Sequence, residues 1–330
     1  MHVRLKPALR RAWRDGATLQ IGVDPARALL LAGLGDEEAR ALGRLDGTRT
    51  RDELSADPAS RRLLTLLGHA GALDEDAPAP GALGPDGASL SLLHPVPGAA
   101  GLALEGRARS RVRVLGAGRV GAAVVGLLVA AGVGGVEAVD AAPVTPADLL
   151  PAGHRADVLG LPRDAAAASA GRPGGRPDIV VVAPAGSTPV TEELAERLVA
   201  DRVPHLLVTV RETTGAVGPL VLPGSTACLT CVDLHRRDRD PVWPLVAAQL
   251  AEPSPRLLDA CDAALATVVA GVTTLQVLAL IDSRQSGGPR PASAGAALEL
   301  ALPDWRLRRR EWAPHPSCAC GAGASADAVR

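Results

Sequence analysis

The stretch RVRVLGAGRVGAAVVGLLVAAGVGGVEAVD, residues 111–140, contains two strand patterns separated by a helix pattern. An apolar strand over Arg111–Leu115 runs into the glycine-rich Gly116–Gly121, which opens an apolar helix. A second strand, Val136–Val139, ends at Asp140. This order predicts a βαβ unit of the kind that binds dinucleotides.

Four residues of this unit are candidate nucleotide ligands. Glycines at 116, 118 and 121 let a phosphate approach the backbone at the helix N-terminus, where the partial charge favours anions. Asp140 stands where such folds place an acid for the ribose hydroxyls. The alternative is structural: Gly116, Gly118 and Gly121 then serve only to pack strand against helix.

The alternation of strands and helices continues after this unit. Strands are predicted over Asp178–Ala183 and His205–Val210, with a helix over Thr191–Ala200 between them, which indicates a doubly wound α/β sheet. Later strands are predicted in an antiparallel arrangement. They are Val217–Leu222, Ala296–Leu302 and Arg306–Glu311.

A long helix is predicted over Leu257–Ile281. Its segment Ala263–Ile281 is uncharged and just long enough to cross a membrane. It contains three threonines and a glutamine, and aspartates flank it closely. We therefore interpret it as a buried core helix, because helices that are apolar all round also occur in large cores.

The five cysteines are unevenly distributed. Cys228 and Cys231 form C-x-x-C, and Cys318 and Cys320 form C-x-C. Two short pairs of thiolates can supply the four soft ligands of one structural zinc site. His315 is an alternative ligand, and Cys261, alone in an apolar segment, is interpreted as a core residue.

The first 75 residues have a different pattern. Three short strands are predicted, at Leu9–Trp13, Thr18–Gly22 and Ala28–Leu31. Helices follow at Asp36–Leu45 and Ala59–His69, and Thr48–Ser55 between them has room for another helical turn. The order favours a winged-helix-like module. The predicted domains are residues 1–75, a Pro/Gly/Ala-rich linker at 76–104, an α/β domain at 105–322 and a flexible tail at 323–330.

Composition excludes several classes of function. The formal net charge is −1 and aromatic residues make up 1% of the chain, which disfavours nucleic acid as a partner. The basic N-terminus lacks the apolar core of a signal peptide, so a cytoplasmic location is expected, without membrane attachment.

The glycine motif with Asp140, the stretch VGPLVLPGSTACLTCVDLH and the final HPSCACG together resemble the ThiF/MoeB-type, ubiquitin-activating-enzyme-like superfamily. The resemblance covers about residues 105–322. It implies an ATP-binding Rossmann-like fold, a zinc ion that clamps the C-terminal strands, and adenylylation of a partner's C-terminal carboxylate.

The chain departs from that family at positions that act on ATP. The family's Arg-Gln pair after the ribose acid is missing, and this domain has no lysine, although Arg155 and Arg163 carry positive charge. Ala183-Pro184-Ala185 stands where the family has a magnesium-binding aspartate. These departures favour a degenerate enzyme without its own activity.

ThiF-like proteins of this degenerate kind act in azole- and azoline-forming peptide biosynthesis. There, a PqqD-like N-terminal element binds a precursor's leader peptide and a separate YcaO-type enzyme uses the ATP. Residues 1–75 resemble that element in WRDGATLQIGVDPARALLL and GRLDGTRTRDEL. The resemblance implies that a leader peptide adds a strand to this module by β-augmentation. The candidate contacts are Ala28, Leu30, Leu31, Arg61, Arg62 and Leu66.

The sequence therefore predicts a non-catalytic, zinc-containing scaffold whose partners are a peptide precursor and a modifying enzyme. An active adenylyltransferase that binds ATP through Gly116–Gly121 and Asp140 is the second hypothesis. An NAD-dependent oxidoreductase is the third, and it has only the glycine motif and Asp140 in its favour. Whether the chain forms a homodimer is left open.

Overall fold

The computed structural model describes residues 1–75, 84–94, 96–171, 174–184, 188–251, 260–286 and 288–322. Contacts between residues divide the chain into two units. The first unit contains Met1–Gly106 and Asp282–Gly288. The second contains Arg107–Ile281 and the described residues from Pro289 onward.

In its described residues, the first unit contains six short strands and five helices. Three of the helices lie between β4 and β6 in the chain, and two follow β6. The strands are β1 (His2–Leu5), β2 (Arg11–Trp13), β3 (Leu19–Ile21), β4 (Leu29–Leu31), β5 (Asp46–Thr50) and β6 (Leu73–Glu75). The helices are α1 (Asp36–Gly43), α2 (Arg51–Ser55), α3 (Pro58–His69), α4 (Gly84–Leu93) and α5 (Ala99–Arg109). The strands form two antiparallel sheets, β5-β1-β6 and β2-β3-β4.

Local sequence explains where α2 and α3 begin. The Thr50 amide donates to Glu53 Oε2 at 2.8 Å, which is half of a capping box. Asp57 caps α3 by accepting from the Ser60 amide at 3.0 Å, and Pro58 takes the first helical position. Apolar residues at helical spacing then bury one face of α3 in the core of the first unit. The buried residues include Leu19, Ile21, Leu63, Leu64 and Leu67.

The sheet β5-β1-β6 was not predicted from the sequence. Strand β5 reads DGTRT, which is as typical of a turn as of a strand, and β1 lies in the basic N-terminus. The pairing of β5 with β1 is long-range, so no local pattern reveals it. The predicted strands of the other sheet and the helical turn are present with shorter bounds, and the winged-helix-like assignment stays a prediction.

Two helices occupy much of the segment predicted as a linker. Residues 76–83 and 95 lie outside the described part, but α4 and α5 cover most of the rest. Pro85 lies in the first turn of α4 and Pro97 precedes α5, where proline is compatible with helix. Leu90 and Ala103 are buried, so this segment contributes to a core rather than to a spacer.

Lys6 is the one lysine of the sequence, and its side chain is 1% exposed. Its Nζ donates to the Ser91 carbonyl. Burial lowers the pKa of Lys6, and the Asp74 carboxylate partly opposes that effect. Burial likewise raises the pKa of Asp74, against the attraction of Lys6 and Arg4.

The second unit is built on one seven-stranded sheet. Its strands are β7 (Arg111–Leu115), β8 (Gly135–Val139), β9 (Ile179–Val182), β10 (His205–Arg211), β11 (Thr214–Val221), β12 (Ala296–Ala301) and β13 (Leu307–Glu311). Its helices are α6 (Arg119–Ala130), α7 (Arg163–Ala166), α8 (Glu192–Ala200), α9 (Leu229–Arg239), α10 (Trp243–Leu250) and α11 (Ala263–Ser286), the last up to Ile281.

The strand order is β13-β12-β11-β10-β9-β7-β8. Neighbouring strands are parallel from β8 through β7 and β9 to β10. From β10 to β13, each strand is antiparallel to the next. The change of direction occurs at a tight turn in which Glu212 has φ 54°. This mixed α/β sheet with antiparallel C-terminal strands agrees with the predicted fold class.

Within the described ranges, one helix is long and apolar enough to cross a membrane: α11, over Ala263–Gln285. Of its most apolar window, 56% is buried. Leu265, Val269 and Val277 belong to the core of the second unit. These contacts support the interpretation as a core helix. In the described residues it begins at Ala263, and Leu257, the predicted start, lies outside them.

Candidate functional site

The glycine motif forms the turn between β7 and α6. Gly116 has φ 94°, in the left-handed region that favours glycine, and Gly118 is the N-cap of α6. A Cβ on Gly116 would overlap the Ala183 carbonyl, and a Cβ on Gly121 would overlap the Gly116 carbonyl. Packing between strand and helix therefore explains Gly116 and Gly121 without any ligand.

The carboxylate of Asp140 is bound by the chain itself. Oδ2 accepts from the Ala117 amide at 2.9 Å and lies 3.3 Å from Arg163 Nη1. Oδ1 accepts from the Ala142 amide at 3.1 Å. Both oxygens that would receive ribose hydroxyls thus already have protein donors.

Arg163 also binds Asp148, a residue that the sequence analysis did not select. Its Nη2 donates to both oxygens of Asp148 at 2.9 Å, and its Nε donates to Oδ2 at 3.1 Å. The Asp148 and Arg163 side chains are 7% and 13% exposed. A buried charge pair with several hydrogen bonds is costly to break, because each partner would be left uncompensated.

This ion pair lies directly beside the glycine turn. A Cβ on Gly118 would lie 3.4 Å from Asp148 Oδ1 and 3.9 Å from Arg163 Cζ. Arg155, the other arginine considered as a phosphate ligand, is 79% exposed and lies 3.7 Å from Asp157. Arg163 therefore pairs with two carboxylates at the turn, and its charge is not free for a phosphate.

Two further contacts hold the glycine turn. Buried His154 is 2.7 Å from the Ala117 carbonyl through Nε2. Arg119 Nη1 donates to the Cys261 carbonyl at 2.7 Å. Neither contact has a signal in the sequence, because each joins residues that are far apart in the chain. The first holds a carbonyl of the turn itself, and the second joins the first residue of α6 to Cys261.

The four paired cysteines converge on one point. Cys228 Sγ lies 3.7 Å from Cys231 Sγ and 3.6 Å from Cys318 Sγ, and Cys231 Sγ lies 3.6 Å from Cys320 Sγ. All four sulfur atoms are within 4.8 Å of one another. A zinc tetrahedron with bonds of about 2.3 Å has sulfur–sulfur edges of about 3.8 Å. The donor set therefore fits a zinc ion, and the distances are too long for disulfides.

The protein backbone places these cysteines. Cys228 is the N-cap of α9 and Cys231 lies in its first turn, whereas Cys318 and Cys320 follow β13. Burial raises the pKa of Cys228 to about 11 and also raises the pKa of Cys318. Without a metal, these thiols keep their protons at neutral pH. Four thiolates leave no open coordination position, so the chemistry that a zinc ion supplies here is structural.

His315 is not part of the cysteine cluster. Its Nε2 lies 2.8 Å from Asp238 Oδ2, and its Nδ1 accepts from the Ser317 amide at 3.1 Å. The hydrogen bond to His315 is the main cause that lowers the pKa of Asp238. Both ring nitrogens thus have partners other than a metal. The hypothesis that His315 replaces a cysteine ligand is not supported.

The predicted peptide-binding strand is shorter than expected. Strand β4 begins at Leu29, because the Ala28 amide donates to the Asp24 carbonyl in a turn. In the described residues, β4 pairs with β3 alone, so its other edge has no partner strand. Leu31 is half-buried against the core, whereas Leu30 is 55% exposed.

Hydrogen bonds across the sheet show which backbone groups of β4 face outward. The amide of Arg14 donates to Thr18 and that of Gly22 to Arg10, so Ala12 and Gln20 form a hydrogen-bonded pair. The polar backbone groups of Gln20 therefore point to β2. Leu30, which also lies opposite Gln20, must direct its own N–H and C=O to the open edge.

The predicted contacts on α3 are exposed. Leu66 is 48% exposed. Arg61 Nε donates to the Ser55 carbonyl at 2.8 Å, and Arg62 lies 3.9 Å from Glu38. Because exposed pairs of this kind contribute little, the two arginines can exchange these contacts for others.

Comparisons with known proteins identify the fold. No protein-family model and no curated protein matches the sequence. E. coli MccB with MccA-N7isoASN matches with a TM-score of 0.71 and 14% identity, over 98% of this chain and 100% of that chain. E. coli MccB with ATP matches with a TM-score of 0.70 and 14% identity, over 97% of this chain and 100% of that chain. The heterocyclase TruD matches with a TM-score of 0.68 and 17% identity, over 98% of this chain and 43% of that chain. The chain thus has the mixed α/β fold of MccB, which supports the ThiF/MoeB-like fold that its motifs imply.

Proposed function

We propose that the chain is a non-catalytic ThiF-fold scaffold that binds the leader region of a ribosomal peptide precursor and presents it to a YcaO-type modifying enzyme. Residues 1–75 bind the peptide, and residues 105–322 form the scaffold with one structural zinc ion. We also propose a cytoplasmic location, with neither nucleic acid nor membrane as a partner.

One observation carries the non-catalytic part of this proposal: Arg163 occupies the carboxylates of Asp140 and Asp148 beside the glycine turn. A nucleotide ribose would have to share the Asp140 carboxylate with the Ala117 amide and Arg163. Any of these buried contacts that it displaced would oppose binding. Packing alone explains why glycine is required at positions 116 and 121.

The peptide-binding part is supported by the open edge of β4 and by the fold comparison. E. coli MccB, described as a microcin C7 biosynthetic enzyme, is known in complex with N-formylated MccA, and TruD is a heterocyclase. From these proteins we transfer only the class of partner, a peptide that undergoes modification. The outward N–H and C=O of Leu30 are the groups that an added strand would pair with.

A pair of proline variants tests the edge-strand model. Leu30→Pro removes an outward N–H from β4, and Arg11→Pro removes one from β2, the opposite edge of the same sheet. A peptide selected from a randomised library against the intact chain serves as the probe. We expect Leu30→Pro to abolish its binding and Arg11→Pro to preserve it, with similar melting temperatures. Equal binding by both variants would exclude β4 as the docking edge.

The alternative is an active ATP-dependent adenylyltransferase, and the ATP complex of MccB favours it because the fold is shared. Calorimetric titration of the zinc-loaded chain with Mg-ATP separates the two hypotheses. The scaffold should give no heat and no rise in melting temperature, since a ligand of the folded state must stabilise it. Micromolar binding that Asp140→Asn abolishes would favour the enzyme.

A further inference from the structure

A cavity of about 480 Å³ lies on one face of the antiparallel half of the sheet. Strands β10 to β13 form its floor, and α9 and α10 contribute its walls. The opposite face is closed at this point, because a Cβ on Gly215 would overlap Val269 of α11. The cavity has the volume of a small-molecule site and is separate from the glycine turn and the cysteine cluster.

A partly buried arginine without a counter-ion faces this cavity. Arg211, at the end of β10, lines it. No described carboxylate lies within ion-pair distance of the Arg211 guanidinium, and no described acceptor forms a hydrogen bond with it. Burial, followed by the charges of Arg236 and Arg310, lowers the pKa of Arg211. Since arginine stays protonated in proteins, a positive charge without a partner remains here.

Two other arginines of the cavity are paired. Arg236 lies 2.9 Å from Asp233, and Arg310 lies 3.3 Å from Glu299. Glu212, in the turn after β10, also lines the cavity and is exposed. The arginine at the end of β10 is thus the one lining cation without an ion-pair partner among the described residues. It suits one monoanionic group, whereas a dianion would meet repulsion from the three carboxylates.

Much of the rest of the lining is apolar, with three threonines, and it is unusually aromatic for this chain. Two of the four tryptophans, Trp243 and Trp312, line the cavity. The Arg236 guanidinium lies 5.1 Å from the centre of the Trp243 ring, and that of Arg310 lies 6.0 Å from the Trp312 ring. These cation–π contacts hold both rings in place. Fixed rings and one free guanidinium provide an apolar surface and a bidentate carboxylate site.

We propose that this cavity binds an organic carboxylate with an apolar or aromatic body. The carboxylate pairs with Arg211, and the body lies against Trp243 and Trp312. A free acid and the C-terminal residue of a peptide present the same group, and both fit this description. The site does not depend on a strand added at β4.

The test uses the intact, zinc-loaded chain with nitrogen-15 in its tryptophan indoles. Four indole signals are expected, and single Trp→Phe variants assign them. The probes are N-acetyl-L-leucine and N-acetyl-L-phenylalanine, their amides, inorganic phosphate, and a short peptide ending in leucine. We expect the acids to shift the signals of Trp243 and Trp312 and to leave Trp13 and Trp305, which do not line the cavity, unchanged.

Arg211→Gln should weaken binding of the acids about 10- to 100-fold, as expected for loss of a charged hydrogen-bonding partner. The matched control is Arg237→Gln, because Arg237 is exposed on α9 and does not line the cavity. The melting temperature of each variant shows whether it is folded. Binding of the acids but not of the peptide would assign the site to free acids, and binding of both would include peptide C-termini.

Three results would overturn the proposal. One is the absence of any shift with the acids and the peptide at millimolar concentration. Another is equal binding of the acids and their amides, which removes the role of the carboxylate. The third is binding of phosphate as tight as that of the acids, which would mean a general anion site.

Discussion

The glycine turn and the cysteine cluster differ in what their side chains are free to do. At the cysteines, neighbouring sulfur atoms lie 3.6–3.7 Å apart inside an apolar cluster, and none of them is held by a charged side chain of the described residues. At the turn, the acid that would bind a ribose is already held by an amide and by Arg163. A sequence motif therefore indicates a ligand only when its donor atoms lack partners inside the protein.

The largest effect is expected from Cys228→Ser. We expect zinc content to fall from about one ion per chain toward none, with a large drop in melting temperature, because structural zinc sites contribute folding free energy directly. Elemental analysis and thermal unfolding measure both. Cys261→Ser is the control, since Cys261 lies outside the cluster, and it should keep its zinc. Full zinc content in the Cys228 variant would show that the ligand set is wrong.

The next largest effect is expected from Arg163→Leu. It leaves the buried Asp148 without its partner, and breaking such pairs costs about 3–5 kcal/mol of the free energy of unfolding. Arg155→Leu removes an exposed arginine and should cost less than about 1 kcal/mol. Chemical denaturation measures both. Equal costs would mean that the Arg163 contacts do not lock the turn.

Zinc affinity is expected to increase with pH. The pKa of Cys228 is raised to about 11 and that of Cys318 is also raised, so both thiols are protonated in the metal-free chain at pH 7. Binding must then release at least these two protons, and the dissociation constant should fall by at least about 100-fold per pH unit, or about 2.7 kcal/mol. Competition with a chelator from pH 6 to 8 measures the slope. A flat profile would contradict thiolate ligation.

A smaller effect is expected from Gly121→Ala. The added methyl group overlaps the Gly116 carbonyl, and overpacking of this kind costs about 1–3 kcal/mol. Gly118→Ala is the matched control, because its Cβ would make ordinary contacts and its φ is −68°. The melting temperatures of the two variants, measured by thermal unfolding, show the difference in stability. A larger loss in the Gly118 variant would mean that the turn is not shaped by packing at Gly121.

The sequence predicts those parts of the fold that depend on neighbours in the chain. The unit from β7 to β8 follows from local apolar patterns and glycines. The cysteine cluster follows from paired spacing, although only the fold brings Cys228 and Cys318 together across 90 positions.

The rest depends on long-range contacts without a local signature. Strand β5 is polar and becomes a strand only by pairing with β1. Arg163 and Asp148 lie 15 positions apart in a segment that has no regular pattern. Arg211 has no ion-pair partner among the described residues, because Asp233 of α9 and Glu299 of β12 pair with other arginines. Such features require coordinates, since no window of sequence contains all the partners.

The burial of Lys6 has a practical consequence for mapping partners. Because the chain has no other lysine, amine-reactive cross-linkers and dyes find no exposed lysine on the folded protein. Any enzyme that conjugates groups to lysine meets the same restriction. Carboxyl- or arginine-directed reagents are therefore the means to capture the proposed partners, and a lack of cross-links through lysine carries no information about binding.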